Sequence, residues 1–143
     1  MKTFVLDASV AAKWCLPAKD EPLASQARRL LDAYSRAEIG LIVPDLFWPE
    51  LGNVLWKAVR MGRLSSGDAY SALEFLRALK IPTYLSSDFL PETLHLALFY
   101  GRTFYDSLYA TLADNSSVEL VTADERLANA LAAHLPVKWL GAI

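Results

Sequence analysis

The chain is poor in the residues that build soft-metal centres: 143 residues carry one cysteine and two histidines. The single Cys15 excludes an internal disulfide and any CxxC metal motif. It fits a reducing compartment and reads as a small buried hydrophobe. His95 and His134 fall in separate helical segments with no metal-ligand spacing between them, so both read as ordinary helix residues and zinc is left without its usual partners. Long apolar runs are also missing. None approaches the roughly 18 residues that span a bilayer. The opening "MKTFVLDASVAAKWCLPA" begins like a signal peptide, but Asp7 and Lys13 interrupt what would have to be its apolar core. There is no excess of positive charge either. A net charge of −2 excludes a generally basic, non-specific nucleic-acid binder while leaving room for a local basic patch. No GxGxxG follows the first strand-like run, and no repeat or linker divides the chain. What is left is a single domain over residues 1–143, soluble and cytoplasmic.

What the chain has in quantity is apolar side chains, 54% of all residues. That exceeds the usual share for a soluble domain and predicts that another chain covers part of the surface. Strand-like runs occur at "TFVL" (3–6), "LIV" (41–43), "PTYL" (82–85), "VELVT" (118–122) and "VKWL" (137–140). Helical periodicity fills the intervals, broken by "GRLSSGDA" (62–69) and at Gly101. Strands that alternate with helices predict an α/β fold: a short, mainly parallel sheet flanked by helices on both faces, which binds ligands beyond the carboxyl ends of its strands.

Acidic residues recur where that edge should be. Asp7 follows the first strand-like run and Asp124 follows "LVTA"; Asp106 opens the helix "YDSLYATLADN", and Glu50 stands near the start of "PDLFWPELGNVLWKAVRMG". In that last segment Phe47, Leu51, Val54, Leu55, Ala58 and Val59 form one apolar arc at 100° per residue, with Glu50 at its edge and Trp56 facing away as a candidate interface anchor. Each acid has an ordinary reading. Asp124 suits a helix cap, and Thr103 with Asp106 is a variant capping box. Asp45 reads as capping or initiating the Glu50 helix, Asp88 as a further cap, and Asp114, about 12 Å along its helix from Asp106, as a surface acid. Convergence is the stronger argument for the other four. Two carboxylates about 5 Å apart repel by roughly 3 kcal/mol at an effective dielectric near 20, so such a cluster needs a cation or a proton to persist. Oxygen-only ligands favour Mg²⁺ or Mn²⁺.

The stretches "VLDASVAAKWCLP", "PELGNVLWK", "FYDSLYATLA" and "LVTADERLANAL", in this order and spacing, resemble the PIN-domain ribonucleases, and within them the VapC-type toxins of toxin–antitoxin pairs. The resemblance covers essentially the whole chain. It implies a PIN-like three-layer α/β/α fold, metal-dependent hydrolysis of RNA, a homodimer, and a VapB-type antitoxin as partner. By that resemblance Asp7, Asp106 and Asp124 are metal ligands, and Glu50 ligates, holds a water or acts as general base. Thr122 and Ser9 support the site. Lys13, Lys57, Arg102 and Arg126 lie near the motifs in sequence and are candidate RNA contacts. The helices expected at 22–39 and 45–61, with Trp48 and Trp56, are candidate docking surfaces, although most of their leucines read as core. Two other functions compete. A Mg²⁺-dependent phosphatase needs a second Asp two residues after its nucleophile, where this chain has Ser9, and a receiver domain needs adjacent acids that are absent. A PIN-like binding module without catalysis is the alternative in which the acids no longer hold metal.

Overall fold

The computed structural model describes residues 1–143. Five strands, β1 (Lys2–Leu6), β2 (Ile39–Pro44), β3 (Thr83–Tyr84), β4 (Glu119–Thr122) and β5 (Val137–Trp139), alternate with seven helices: α1 (Ala8–Cys15), α2 (Ala24–Ser35), α3 (Phe47–Arg60), α4 (Ser66–Ala78), α5 (Leu90–Tyr100), α6 (Phe104–Ser116) and α7 (Glu125–Leu131). The strands form one sheet in the order β3-β2-β1-β4-β5, parallel throughout. Val5 pairs with Ile42 on one side and Leu120 on the other, and the central strands are apolar on both faces because helices cover both. Each sequence-predicted strand is present, shifted by a residue or two at its ends.

The order of the strands determines where a ligand can sit. The chain steps outward from β1 through β2 to β3, then crosses back to place β4 on the far side of β1. That reversal opens a crevice between the carboxyl ends of β1 and β4. Helix α6 is the return leg of this crossover and packs against β1, β2 and β4. It ends where β4 begins, so its N-terminus lies at the carboxyl edge. Helices α1, α3 and α7 leave from the same edge, each following its strand within a few residues.

Three local readings differ from expectation. Helix α2 stops at Ser35 rather than reaching 39, because Ala37 takes a left-handed conformation (φ 58°) and Ile39 and Gly40 pair with β1. Asp45 does not cap α3. Its Oδ2 accepts from the backbone N–H and the hydroxyl of Ser86 and so ties the end of β2 to the turn after β3. Asp88 lies in a 3-10 turn, Ser86–Phe89, and α5 starts from Phe89 without a side-chain cap. Gly101, at φ 65°, ends α5 in the left-handed region where a Cβ would be strained.

Candidate active site

Asp7 is placed by the sheet itself. Its N–H donates to the Val121 carbonyl at 3.1 Å, which carries the β1–β4 ladder one residue beyond β1 and brings Asp7 beside the end of β4. Two hydroxyls hold its carboxylate: Ser9 Oγ and Thr122 Oγ1 each donate to Oδ2 at 2.7 Å. Thr122 is fully buried at the end of β4, and its Oγ1 also accepts from the Asp124 N–H at 3.0 Å. Ser9 Oγ accepts in turn from the Ala123 N–H at 3.0 Å. A short network therefore spans the gap between the two strand ends.

The other acids arrive from helix starts. Asp124 caps α7, its Oδ1 accepting from the Leu127 N–H at 3.1 Å, so the ordinary reading of this residue holds alongside any further role. Asp106 lies in the first turn of α6. Its N–H donates to Thr103 Oγ1 at 3.1 Å, one half of the anticipated capping box, while its Oδ2 accepts from Arg102 at 3.4 Å. Glu50 lies in the first turn of α3, and its Oε1 accepts from the Tyr109 hydroxyl. Asp7, Glu50, Asp106 and Asp124 line one open cleft of about 510 Å³, with Ser9, Asn53, Leu46, Pro49, Val54 and Tyr105 in its walls. The N-terminal ends of α1, α3, α6 and α7 meet there, and their unpaired N–H groups favour negative charge.

The field in the cleft is unfavourable to so many carboxylates. Burial pushes the Asp7 carboxyl above its ordinary value; the hydroxyls of Thr122 and Ser9 pull it back, and Asp106 adds to the rise. Glu50 is raised too, first by burial, with the Tyr109 hydrogen bond opposing and Asp7 and Asp106 reinforcing. Burial, and then the charges of Asp7 and Glu50, push the Tyr109 phenol far up, so it stays protonated and always donates. In each of the four carboxylates the named donors fall on a single oxygen, Oδ2 of Asp7, Oε1 of Glu50, Oδ2 of Asp106 and Oδ1 of Asp124. The second oxygen of each carries no side-chain donor. As placed, no three Asp, Glu, His or Cys side chains lie close enough together to hold one ion. The donor set nevertheless suits a small octahedral cation that takes single oxygens and keeps several waters, and it contains no nitrogen or sulfur ligand for zinc.

The cationic residues divide. Arg102 reaches the cleft through Asp106. Lys57 is exposed seven residues beyond Glu50 on the same stripe of α3, and Arg126 is exposed in α7, but neither is in the cleft wall. Lys13 points elsewhere: its side chain is only 9% exposed and pairs with Glu21 at 3.8 Å, six residues down α1 from Asp7. Three residues of the site were not singled out from sequence. Tyr109 reads as an apolar residue of α6, yet it follows Asp106 by three, on the same helix face; Asn53 bears the same relation to Glu50, and Tyr105 precedes Asp106. Elsewhere, Trp48 is half-buried and donates to Thr83 Oγ1 at 3.0 Å, whereas Trp56 is 57% exposed with Arg60 over its ring. His95 and His134 are exposed and remote, and burial pushes the Cys15 thiol up to about 11. No helix is long and apolar enough to cross a membrane.

Comparison with known proteins agrees with this geometry. Ribonuclease VapC3 of Pyrobaculum aerophilum is 38% identical over 128 residues, which span 87% of this chain and 91% of that protein. Ribonuclease VapC1 of Mycobacterium tuberculosis is 39% identical over 87 residues, 61% of this chain and 65% of the relative. A crystal structure of a Pyrobaculum aerophilum protein superposes with a TM-score of 0.73 at 25% identity, covering 99% of this chain and 85% of the other. A toxin–antitoxin complex from Klebsiella pneumoniae shares the fold, with a TM-score of 0.63 at 17% identity over 94% of this chain and 95% of that one. The sequence model of the PIN domain matches residues 4–131, and the chain belongs to the PIN-domain family, in its VapC branch.

Proposed function

We propose that this protein is a divalent-metal-dependent endoribonuclease and the toxin of a VapBC-type pair. The observation that carries the reading is the cleft at the carboxyl edge, where Asp7, Glu50, Asp106 and Asp124 meet and where burial and mutual repulsion raise Asp7 and Glu50. The relatives named as ribonucleases supply the substrate class. Asp7, Asp106 and Asp124 would hold the cation, Mg²⁺ or Mn²⁺. The bound ion supplies Lewis-acid stabilisation of the phosphate and lowers the pKa of an attacking water. The chain does the rest. Ser9 and Thr122 fix Asp7, and Glu50, raised toward the working range of a general base, orients the water and receives its proton. Lys57, Arg102 and Arg126 meet phosphates on the rim, and the exposed Tyr105 ring offers an unpaired base a stacking surface. Lys13, spent on Glu21, is dropped from that set.

The protein acts in the cytoplasm as a homodimer until its antitoxin binds. Exposed apolar side chains supply area for both contacts, with Leu90, Leu94, Leu98 and Phe99 on α5 and Trp56, Tyr70 and Phe75 on α3 and α4. One observation favours a second reading. Because no three acids come close enough to share an ion as placed, a PIN-like binding module without catalysis is the competitor. The deciding experiment incubates purified, antitoxin-free protein with mixed RNA in Mg²⁺, in Mn²⁺ and in EDTA, beside Asp7→Asn. Cleavage that needs metal and falls by about 10²-fold or more in the variant is the expected result. A folded protein that neither cleaves nor gains thermal stability on adding Mn²⁺ moves the assignment to the binding module.

A further inference from the structure

Helix α6 is buried without a break from Ser107 to Ala113, and in that stretch Tyr109 is 2% exposed. A phenylalanine would fill the same space. The hydroxyl therefore needs its own reason, since a buried hydroxyl is costly unless it finds a partner. The side chain it bonds is Glu50, 59 residues away on α3. Tyr109 is the one side-chain donor to Glu50, whereas Asp7 has two hydroxyls. Glu50 is also the longest of the four acids, with one more rotatable bond than an aspartate and the greatest freedom to leave the cleft.

We infer that Tyr109 is a positioning residue for the nuclease reaction: by donating to Oε1 of Glu50 it holds that carboxylate in the cleft and leaves Oε2 free of side-chain donors for a water or an ion. The inference rests on the endoribonuclease reading and adds a role to α6. The same helix delivers Asp106 to the cleft and, three residues on, secures an acid that α3 delivers. With the tether intact Oε2 is the oxygen free of side-chain donors, and it is the one to accept the proton.

The test is Tyr109→Phe, beside Glu50→Gln and the double variant. Tyr109→Phe keeps its thermal midpoint in EDTA within a few degrees and loses roughly 10- to 100-fold in kcat, the range seen when a residue orienting an active-site ligand is removed, with KM within about twofold. The double variant cleaves no more slowly than Glu50→Gln alone, because the amide still accepts from the phenol but cannot take a proton, so holding it in place no longer matters. Wild-type rates in Tyr109→Phe, or losses that multiply in the double variant, overturn the proposal. A second readout needs no turnover: the side-chain carboxyl ¹³C signal of Glu50 in the metal-free protein shifts in Tyr109→Phe while that of the remote Asp114 stays put. An unmoved Glu50 signal defeats the tether itself. Wild-type protein that cleaves no RNA defeats the nuclease reading, and with it the catalytic use of a tether the carbon signal still reports.

Discussion

The two ends of α1 carry opposite solutions to the same problem. At its N-terminus Asp7 joins Glu50, Asp106 and Asp124, and the only cation paired with any of them is Arg102, 3.4 Å from Asp106. In its last turn Lys13 is nearly buried against Glu21, which also receives Arg63 at 3.1 Å. The far cluster is closed: one carboxylate lies between two cations and ties α1 to the loop after α3. The near cluster is open, since its charges share one sign and the surroundings raise two of them. Poorly solvated charge persists only when something compensates it. At one end the protein supplies two cations to one carboxylate, and at the other it supplies four carboxylates with hydroxyls, helix N-termini and a single arginine.

The difference is broken most sharply by Asp7→Asn. Asparagine can still accept from Ser9 and Thr122, so it removes charge and little else. Because the folded-state pKa of Asp7 is raised above the ordinary 3.8, the folded protein binds more protons than the unfolded chain between those two values, and stability falls as pH rises through that window. In EDTA the wild type therefore bears a penalty that is complete above the raised value and vanishes near the ordinary one. We expect the variant to lose about 10² or more in cleavage yet gain about 1–2 kcal/mol in urea unfolding near pH 8, with the gain disappearing as the pH is lowered. A variant less stable than wild type at every pH would mean that the cluster is already compensated from within.

Glu21→Gln is the matching test at the closed end. It leaves Lys13, 9% exposed, and Arg63 without their shared carboxylate. The expected loss is about 2–3 kcal/mol of stability, with cleavage per folded molecule unchanged. Urea unfolding and initial rates on the same preparation separate the two. A fall in rate at full folding would show that the clamp sets the position of α3, and with it Glu50, and the two ends of α1 would no longer be independent.

These pairings also mark what the sequence reveals. Alternation of strand-like and helical segments identifies the parallel sheet, and the acids at segment junctions identify its working edge, because both follow from spacing along the chain. Partners across elements leave no such trace. Lys13 sits close to Asp7 in sequence but faces down the helix toward Glu21, and Tyr109 looks like core until α3 is laid beside α6. Asp45 fails as a side-chain cap for the same reason: a cap is a local pattern, while its bonds to Ser86 depend on β3 lying next to β2. Nor does local pattern say that β1 is central, which is what brings Thr122 onto Asp7.

Thr122→Val probes the open end more gently. Valine keeps the shape of a fully buried residue and removes the hydroxyl that donates to Asp7 and accepts from the Asp124 N–H. Ser9 still holds Asp7 Oδ2, so we expect a 10- to 100-fold loss in cleavage rather than its abolition, a rise in the Mn²⁺ needed for half-maximal rate, and about 1 kcal/mol of lost stability. Full activity in this variant would mean that Ser9 alone fixes Asp7 and that the fully buried threonine serves only the turn into α7.

The smallest effect should come from Arg102→Gln, and it bears most directly on the contrast between the clusters. Arg102 is the one guanidinium at the open end, and its pair with Asp106 is long and about a third exposed on each side, so its loss should change metal-free stability by less than about 1 kcal/mol. Two roles pull in opposite directions. As partner of Asp106 it competes with a cation for that carboxylate, and its removal should lower the Mn²⁺ midpoint of the thermal shift by about two- to threefold, measured without RNA. As a rim cation it meets phosphate, and its removal should raise KM and flatten the salt dependence of RNA binding by the equivalent of about one phosphate contact. A lower metal midpoint with a higher KM shows that one arginine stands in for the ion when the cleft is empty and turns to the substrate when it is filled. An unchanged metal midpoint shows instead that Asp106 was never compensated from within, and the open end is then more open than its single ion pair implies.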